Sequence, residues 1–179
     1  MSGTTCPICG AYMGPDRGHG GSPRRYCSGR CRTAACRRRK AIPKTLTDLP
    51  RWTRCVGKRP IQPDGRPASS TDPTTWSRFE DVLYGAGDGY GIMLGDGLAC
   101  YDLDHILDGR TIRPRHPGRL IVDKLEREGS IYAEISVSGE GLHYLIHSDA
   151  PSWRHGDVEF YSHGRFIRIT GRTWNPSHP

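Results

Sequence analysis

Leu98-Ala99-Cys100-Tyr101-Asp102-Leu103-Asp104-His105 decides how this chain is read: an apolar run leads into two carboxylates separated by one residue. Successive side chains of a β-strand point to opposite faces, so Asp102 and Asp104 share a face, about 6–7 Å apart along it. Ala99, Tyr101 and Leu103 take the other face. Two carboxylates so placed can converge on hard divalent cations, which prefer oxygen ligands. Taken alone, they are better described as a solvated sheet edge.

Parity in the later strands raises the weight of the pair. Four strands are predicted, over Ile131–Val137, Leu142–His147, Asp157–Tyr161 and Arg165–Thr170. In the second, Leu142, Tyr144 and Ile146 oppose His143 and His147. In the third, Val158 and Phe160 oppose Asp157, Glu159 and Tyr161. Each strand thus carries an apolar face for packing and a polar face bearing titratable groups. In one sheet, Asp102, Asp104, Glu159 and His143 cluster, and three close carboxylates call for a neutralising cation such as Mg²⁺ or Mn²⁺. The turn Ser138-Gly139-Glu140-Gly141 lets backbone approach a ligand closely, and its N–H groups suit phosphate oxygens, with His143 placed to add a hydrogen bond.

Upstream, Trp52–Ile61 reads as a strand, and residues 43–50, with Pro43 and Pro50, read as a linker. Asp72-Pro73 is a helix start, followed by Trp76, Phe79 and Leu83 at helical spacing. Asp96-Gly97 between apolar runs signals a hairpin. A helix is predicted over 118–128, with Ile121, Val122 and Leu125 inward and Gly129 as its stop. Two helices with mostly hairpin-linked strands give an α+β, two-layer domain. No apolar run is long enough to span a bilayer, so a soluble, cytoplasmic protein with no membrane partner is expected.

The N-terminal segment differs in kind. Residues 1–48 hold ten Lys/Arg against two Asp, whereas the chain as a whole has a net charge of +7. The basic excess therefore lies in this segment and suggests a polyanionic partner for it. Five of seven cysteines also lie in the first 36 residues. Cys6-Pro7-Ile8-Cys9 and Cys27-Ser28-Gly29-Arg30-Cys31, 17 residues apart, match a four-thiolate zinc site, with Cys36 and His19 as alternative ligands. Metal binding would then supply the folding free energy of a segment with little apolar core. Ser28 caps a short helix running to Lys40, and its Arg30, Arg32, Arg37, Arg38, Arg39 and Lys40 suit nucleic-acid phosphates without base readout. A solvated basic face explains the same run equally well.

Asp102-Leu103-Asp104, Ser138-Gly139-Glu140-Gly141-Leu142-His143 and Val158-Glu159-Phe160-Tyr161, followed by Gly164-Arg165-Phe166-Ile167-Arg168-Ile169-Thr170-Gly171, occur in that order. Together they resemble the three motifs of the archaeo-eukaryotic primase superfamily, and most of all the primase-polymerase (PrimPol) domains of phages and plasmids. Lys58-Arg59-Pro60-Ile61 and the Asp72-Pro73 helix start resemble that group too, so the likeness spans roughly residues 48–174. It implies an RRM-like antiparallel sheet and template-directed nucleotidyl transfer from (d)NTPs on single-stranded DNA. Asp102, Asp104 and Glu159 would hold two Mg²⁺ or Mn²⁺ ions. Ser138, Gly139, Gly141, His143 and Arg165 would bind the triphosphate. Glu134 matches a common family position without a defined role. The expected organisation is a zinc-binding basic module over 1–42, a linker over 43–50 and a catalytic domain over 51–179, with a separate helicase as a candidate partner that the sequence leaves open. The alternatives are a replication-accessory protein with a degenerate primase fold and a metal-dependent nuclease.

Overall fold

A computed structural model describes residues 5–14 and 24–175; His19 lies outside them. The chain forms two compact units, divided between Ala41 and Ile42.

In the smaller unit, the turn after Cys6 closes through Gly10 N–H to the Cys6 carbonyl (2.8 Å), with Gly10 at φ +73°. Helix α1 spans Gly29–Ala41. Ser28 Oγ accepts from the Cys31 N–H at 3.2 Å, so the expected cap is present. The residues that α1 buries are Cys31 and Ala35.

The larger unit opens with α2 (Lys44–Thr47), then β1 (Trp52–Val56), β2 (Arg59–Ile61), a 3-10 turn (Pro73–Thr75), α3 (Phe79–Val82), β3 (Gly89–Met93) and β4 (Leu98–Leu103). It continues through β5 (Leu107–Asp108), β6 (Thr111–Ile112), α4 (Arg119–Glu128), β7 (Tyr132–Ile135), β8 (Leu142–His147), β9 (Trp153–His155), β10 (Val158–Tyr161) and β11 (Phe166–Ile169). The class is α+β, with antiparallel ladders in a four-stranded sheet (β11-β3-β1-β2), a five-stranded sheet (β7-β8-β4-β10-β9) and a two-stranded pair (β5-β6). Among the described residues no helix is long and apolar enough to cross a membrane.

In the five-stranded sheet β8 lies between β4 and β7 and is antiparallel to both, so β4 and β7 run parallel, joined through α4. This is a split β-α-β arrangement. The return from β8 to β10 passes through the edge strand β9, without a second helix. Gly129 ends α4 at φ +92°. Val122 and Leu125 of α4 pack with Leu103, Leu142, Tyr144, Val158 and Trp174 on one face of this sheet.

The opposite face is also covered. Leu98, Cys100, Tyr132 and Leu145 pack with Trp52, Ile92, Leu94, Ile167 and Ile169 of and beside the four-stranded sheet. The expected polar face is therefore half core, and its titratable groups gather at one end.

Four local expectations change. Residues 52–61 form a hairpin, β1–β2, because Gly57 turns the chain at φ +60°. Residues 43–50 are not a bare linker: α2 buries Leu46, whose carbonyl accepts from Trp52 Nε1–H at 3.0 Å. Asp72 caps as expected, accepting from Thr74 N–H, but the helix stops after one turn. Ser77 instead exchanges backbone hydrogen bonds with Trp52 (2.8 and 3.0 Å), and α3 starts afresh at Phe79. Asp96-Gly97 is a tight turn with both residues at positive φ (52° and 82°), but Gly95 pairs with Leu98 alone before the strands part into different sheets.

Candidate functional site

Five titratable side chains of the larger unit meet in a single cross-strand row. Register places Glu134 opposite His143, His143 opposite Asp102, Asp102 opposite Glu159, and Glu159 opposite Arg154. Five strands each contribute one residue. Directly opposed side chains have Cβ atoms about 4.5–5.5 Å apart, so neighbours in the row interact without further help from the fold. Glu134, His143, Asp102 and Glu159 are all buried.

Glu134 is fully buried and holds one end of the row. Its carboxylate accepts from Thr170 N–H (3.0 Å), Thr170 Oγ1–H (3.1 Å) and Gly171 N–H (2.9 Å). It also faces His143 Nδ1 at 3.1 Å. That contact turns Nε2 toward Asp102, 3.6 Å away. Burial opposes charge on His143, but the Glu134 hydrogen bond and the charges of Glu134, Asp102 and Asp104 outweigh it, so its pKa is raised. The Asp102 carboxyl is raised by burial first and by the charges of Asp104 and Glu159, while His143 and Lys58 pull the other way.

At the other end both Glu159 oxygens are engaged. Arg154 Nε pairs with Oε1, while Tyr161 O–H donates to Oε2 at 2.7 Å and Arg165 stands 3.9 Å from it. The Arg165 guanidinium also lies over the Tyr161 ring, 4.4 Å from its centroid. Burial and the bond to Glu159 raise the Tyr161 pKa.

Asp104 lies one pleat beyond Asp102 and is half-buried. One carboxylate oxygen each from Asp102, Asp104 and Glu159 fit within 4.8 Å of one another. This all-oxygen donor set, with two of its members buried, fits a hard divalent cation.

The predicted turn also takes shape. Ser136 N–H donates to the Gly141 carbonyl (2.8 Å), and Ser138 Oγ accepts from Glu140 N–H (3.2 Å). Gly139 has φ +89°, and a Cβ at Gly141 would sit 2.7 Å from Ser136 Oγ, so both glycines are required by the turn. Glu140 Oε2 meets His105 Nδ1 at 3.1 Å, which ties the turn to the residue after Asp104. His143 therefore lies in the carboxylate row, and the contacts of Ser138 are within its own turn.

In the smaller unit the Sγ atoms of Cys6, Cys9, Cys27 and Cys31 lie within 4.8 Å of one another, and Cys36 stands outside the group. Burial would raise the Cys6 thiol, but N–H groups of Cys27, Ile8 and Cys9 directed at its sulfur win and bring it to about 6. Cys27, sharing hydrogen bonds with the sulfurs of Cys9 and Cys31, rises to about 12. Four converging sulfurs with one stabilised thiolate fit zinc. Arg30, Arg32, Arg37 and Lys40 are exposed on α1, while Arg38 and Arg39 are half-buried and Arg39 reaches the Tyr26 hydroxyl at 3.3 Å.

Sequence reading left Glu134 without a role, placed Tyr161 on the face of Glu159 without giving it one, and missed Arg154 as a neighbour of Glu159. The signal for Arg154 was present: His155-Gly156-Asp157-Val158 is a two-residue hairpin, which pairs position 154 with 159.

No family model matches the sequence. The chain is 33% identical over 134 residues to the DNA Primase-polymerase of Nitratiruptor phage NrS-1, an alignment covering 66% of this chain and 18% of the phage protein. The chain thus spans under a fifth of the length of the curated relative it matches.

Proposed function

We propose that residues 51–179 act as a primase-polymerase catalytic domain that extends a primer, or starts one, on single-stranded DNA from (d)NTPs during phage or plasmid replication. The observation that carries this reading is the convergence of Asp102, Asp104 and Glu159 on one sheet face, within a chain similar to a phage DNA primase-polymerase. The strand order β7-β8-β4-β10 with the β4–α4–β7 crossover supports an RRM-like sheet lacking its second helix.

Asp102, Asp104 and Glu159 would hold two Mg²⁺ or Mn²⁺ ions, whose charge would serve to activate an attacking 3′-hydroxyl and to stabilise a leaving pyrophosphate. Ser138, with the N–H groups around Gly139 and Gly141, binds triphosphate oxygens. His143, oriented by Glu134 and favoured in its charged form, donates from Nε2 to the same anion. Arg165 adds a guanidinium to that anion. In the smaller unit Cys6, Cys9, Cys27 and Cys31 hold one structural zinc. Arg30, Arg32, Arg37, Arg38, Arg39 and Lys40 offer a basic helix to the template backbone.

Primer extension with labelled dNTPs and Mn²⁺ tests the reading. Wild type should extend the primer and Asp102→Ala/Asp104→Ala should not. Equal, minimal incorporation by both sinks it, and DNA cleavage without any nucleotide requirement replaces it with hydrolysis.

A further inference from the structure

We infer that Arg154, which pairs with Glu159, is a nucleotide-phosphate ligand that a cation bound at Glu159 would release. The inference rests on the metal-site reading above and adds a residue to it.

Glu159 is buried, yet its carboxylate meets two guanidinium groups and a phenol. Tyr161 O–H can remain while a cation takes another lone pair of the same carboxylate, because a hydroxyl carries no net charge. A guanidinium directly on Oε1 cannot remain so easily: it takes a lone pair and repels the incoming charge. Arg165 stands further off and has the Tyr161 ring to rest on. Arg154 is therefore the group that must yield. It is free to do so, since its side chain is 72% exposed and every residue of β9, a three-residue edge strand, is exposed. A displaced Arg154 stays within one side-chain length of the site on the side away from His143. A triphosphate there would be met by His143 on one side of the carboxylates and by a guanidinium fork on the other.

This arrangement predicts effects of opposite sign from one substitution. Arg154→Ala removes a competitor of the cation, so Mn²⁺ alone, titrated calorimetrically, should bind about tenfold more tightly than to wild type. At saturating Mn²⁺ the same variant should bind dCTP about tenfold more weakly. Arg154→Lys, which keeps the charge without the fork, should fall between wild type and alanine in both titrations. Mn²⁺ affinity that is unchanged or weaker in Arg154→Ala overturns the inference, as does unchanged dCTP affinity. Wild type that binds no Mn²⁺ overturns the metal site itself, and this inference with it.

Discussion

The cysteine group and the carboxylate row each bring metal-ligating side chains within 4.8 Å of one another, but by opposite routes. The cysteines are placed by local structure: a five-residue turn and the first turn of α1, with Cys6, Cys31 and Ala35 as the buried side chains among the described residues there. The carboxylates are placed by register, on strands whose apolar neighbours fill two separate cores. Charge follows the same division. The row already contains basic partners, His143 beside Asp102 and Arg154 on Glu159, whereas among the described residues the sulfurs bond one another, and Cys27 Sγ–H donates to Ser28 Oγ. On the proposed reading, the first cluster would need a metal in order to fold, and the second would fold first and then accept one.

The sharpest way to break that contrast is to remove zinc. Cys6→Ser/Cys27→Ser should lower zinc from about one per chain to none and cost about 10 kcal/mol of binding free energy. Amide exchange should then lose protection across α1 and keep it in β4 and β8. Protection retained in α1, or metal analysis near zero in wild type purified without chelator, would erase the difference between the two clusters.

Next in size is the double substitution Asp102→Ala/Asp104→Ala. Primer extension should fall about 10³-fold, equivalent to about 4 kcal/mol of lost transition-state stabilisation. Thermal stability should hold or rise, because two mutually repelling carboxylates have gone. A large loss of stability would show that the carboxylates, like the cysteines, are structural.

Glu134→Ala should behave in the reverse way. It strands the Thr170 and Gly171 donors and the His143 imidazole in the interior, at a cost of about 3 kcal/mol in urea unfolding. Glu134→Gln should recover most of it, since an amide oxygen still accepts. If alanine and glutamine variants unfold alike, the buried carboxylate is not what holds this end of the row.

The smallest effect concerns α1. Replacing the exposed Arg30, Arg32 and Arg37 with Ala should leave folding unchanged and weaken single-stranded DNA binding. The slope of log affinity against log salt should fall by about 0.7 for each phosphate that the helix no longer neutralises. An unchanged slope places the binding elsewhere. Deleting residues 1–48 would not test this, because it also strips Ile42 and Leu46 from the larger unit's core.

Much of the carboxylate site was legible in strand parity. Asp102, Glu159 and His143 share a face because the side-chain period of a strand is two, and the Ser136–Gly141 turn sets His143 opposite Glu134. Three things were not legible. Parity gives the side of a strand but not the strand order, so Glu159 beside Asp102 depended on long-range pairing. The apolar content of the polar face, Cys100 and Leu145, gave no hint of a second sheet above it. The break after Thr75 hides in a helix-like pattern, because Ser77 finds its backbone partners in Trp52, far away in sequence. The cysteine spacing, by contrast, could be read at once, since each of the four sulfurs is placed by residues next to it.

The Asp96-Gly97 turn has a consequence for how this chain tolerates change in length. It hands the chain from one sheet to the other immediately before β4, pinned by the reciprocal Gly95–Leu98 hydrogen bonds (3.0 and 3.1 Å). One residue inserted after Leu98 would turn Asp102 and Asp104 toward α4 and bring Tyr101 and Leu103 into the row. Two inserted residues would restore the faces but slide the carboxylates past Glu159. Insertions between β2 and the Pro73–Thr75 turn leave β4 untouched, so natural length variation should gather there and be rare between Met93 and Asp104.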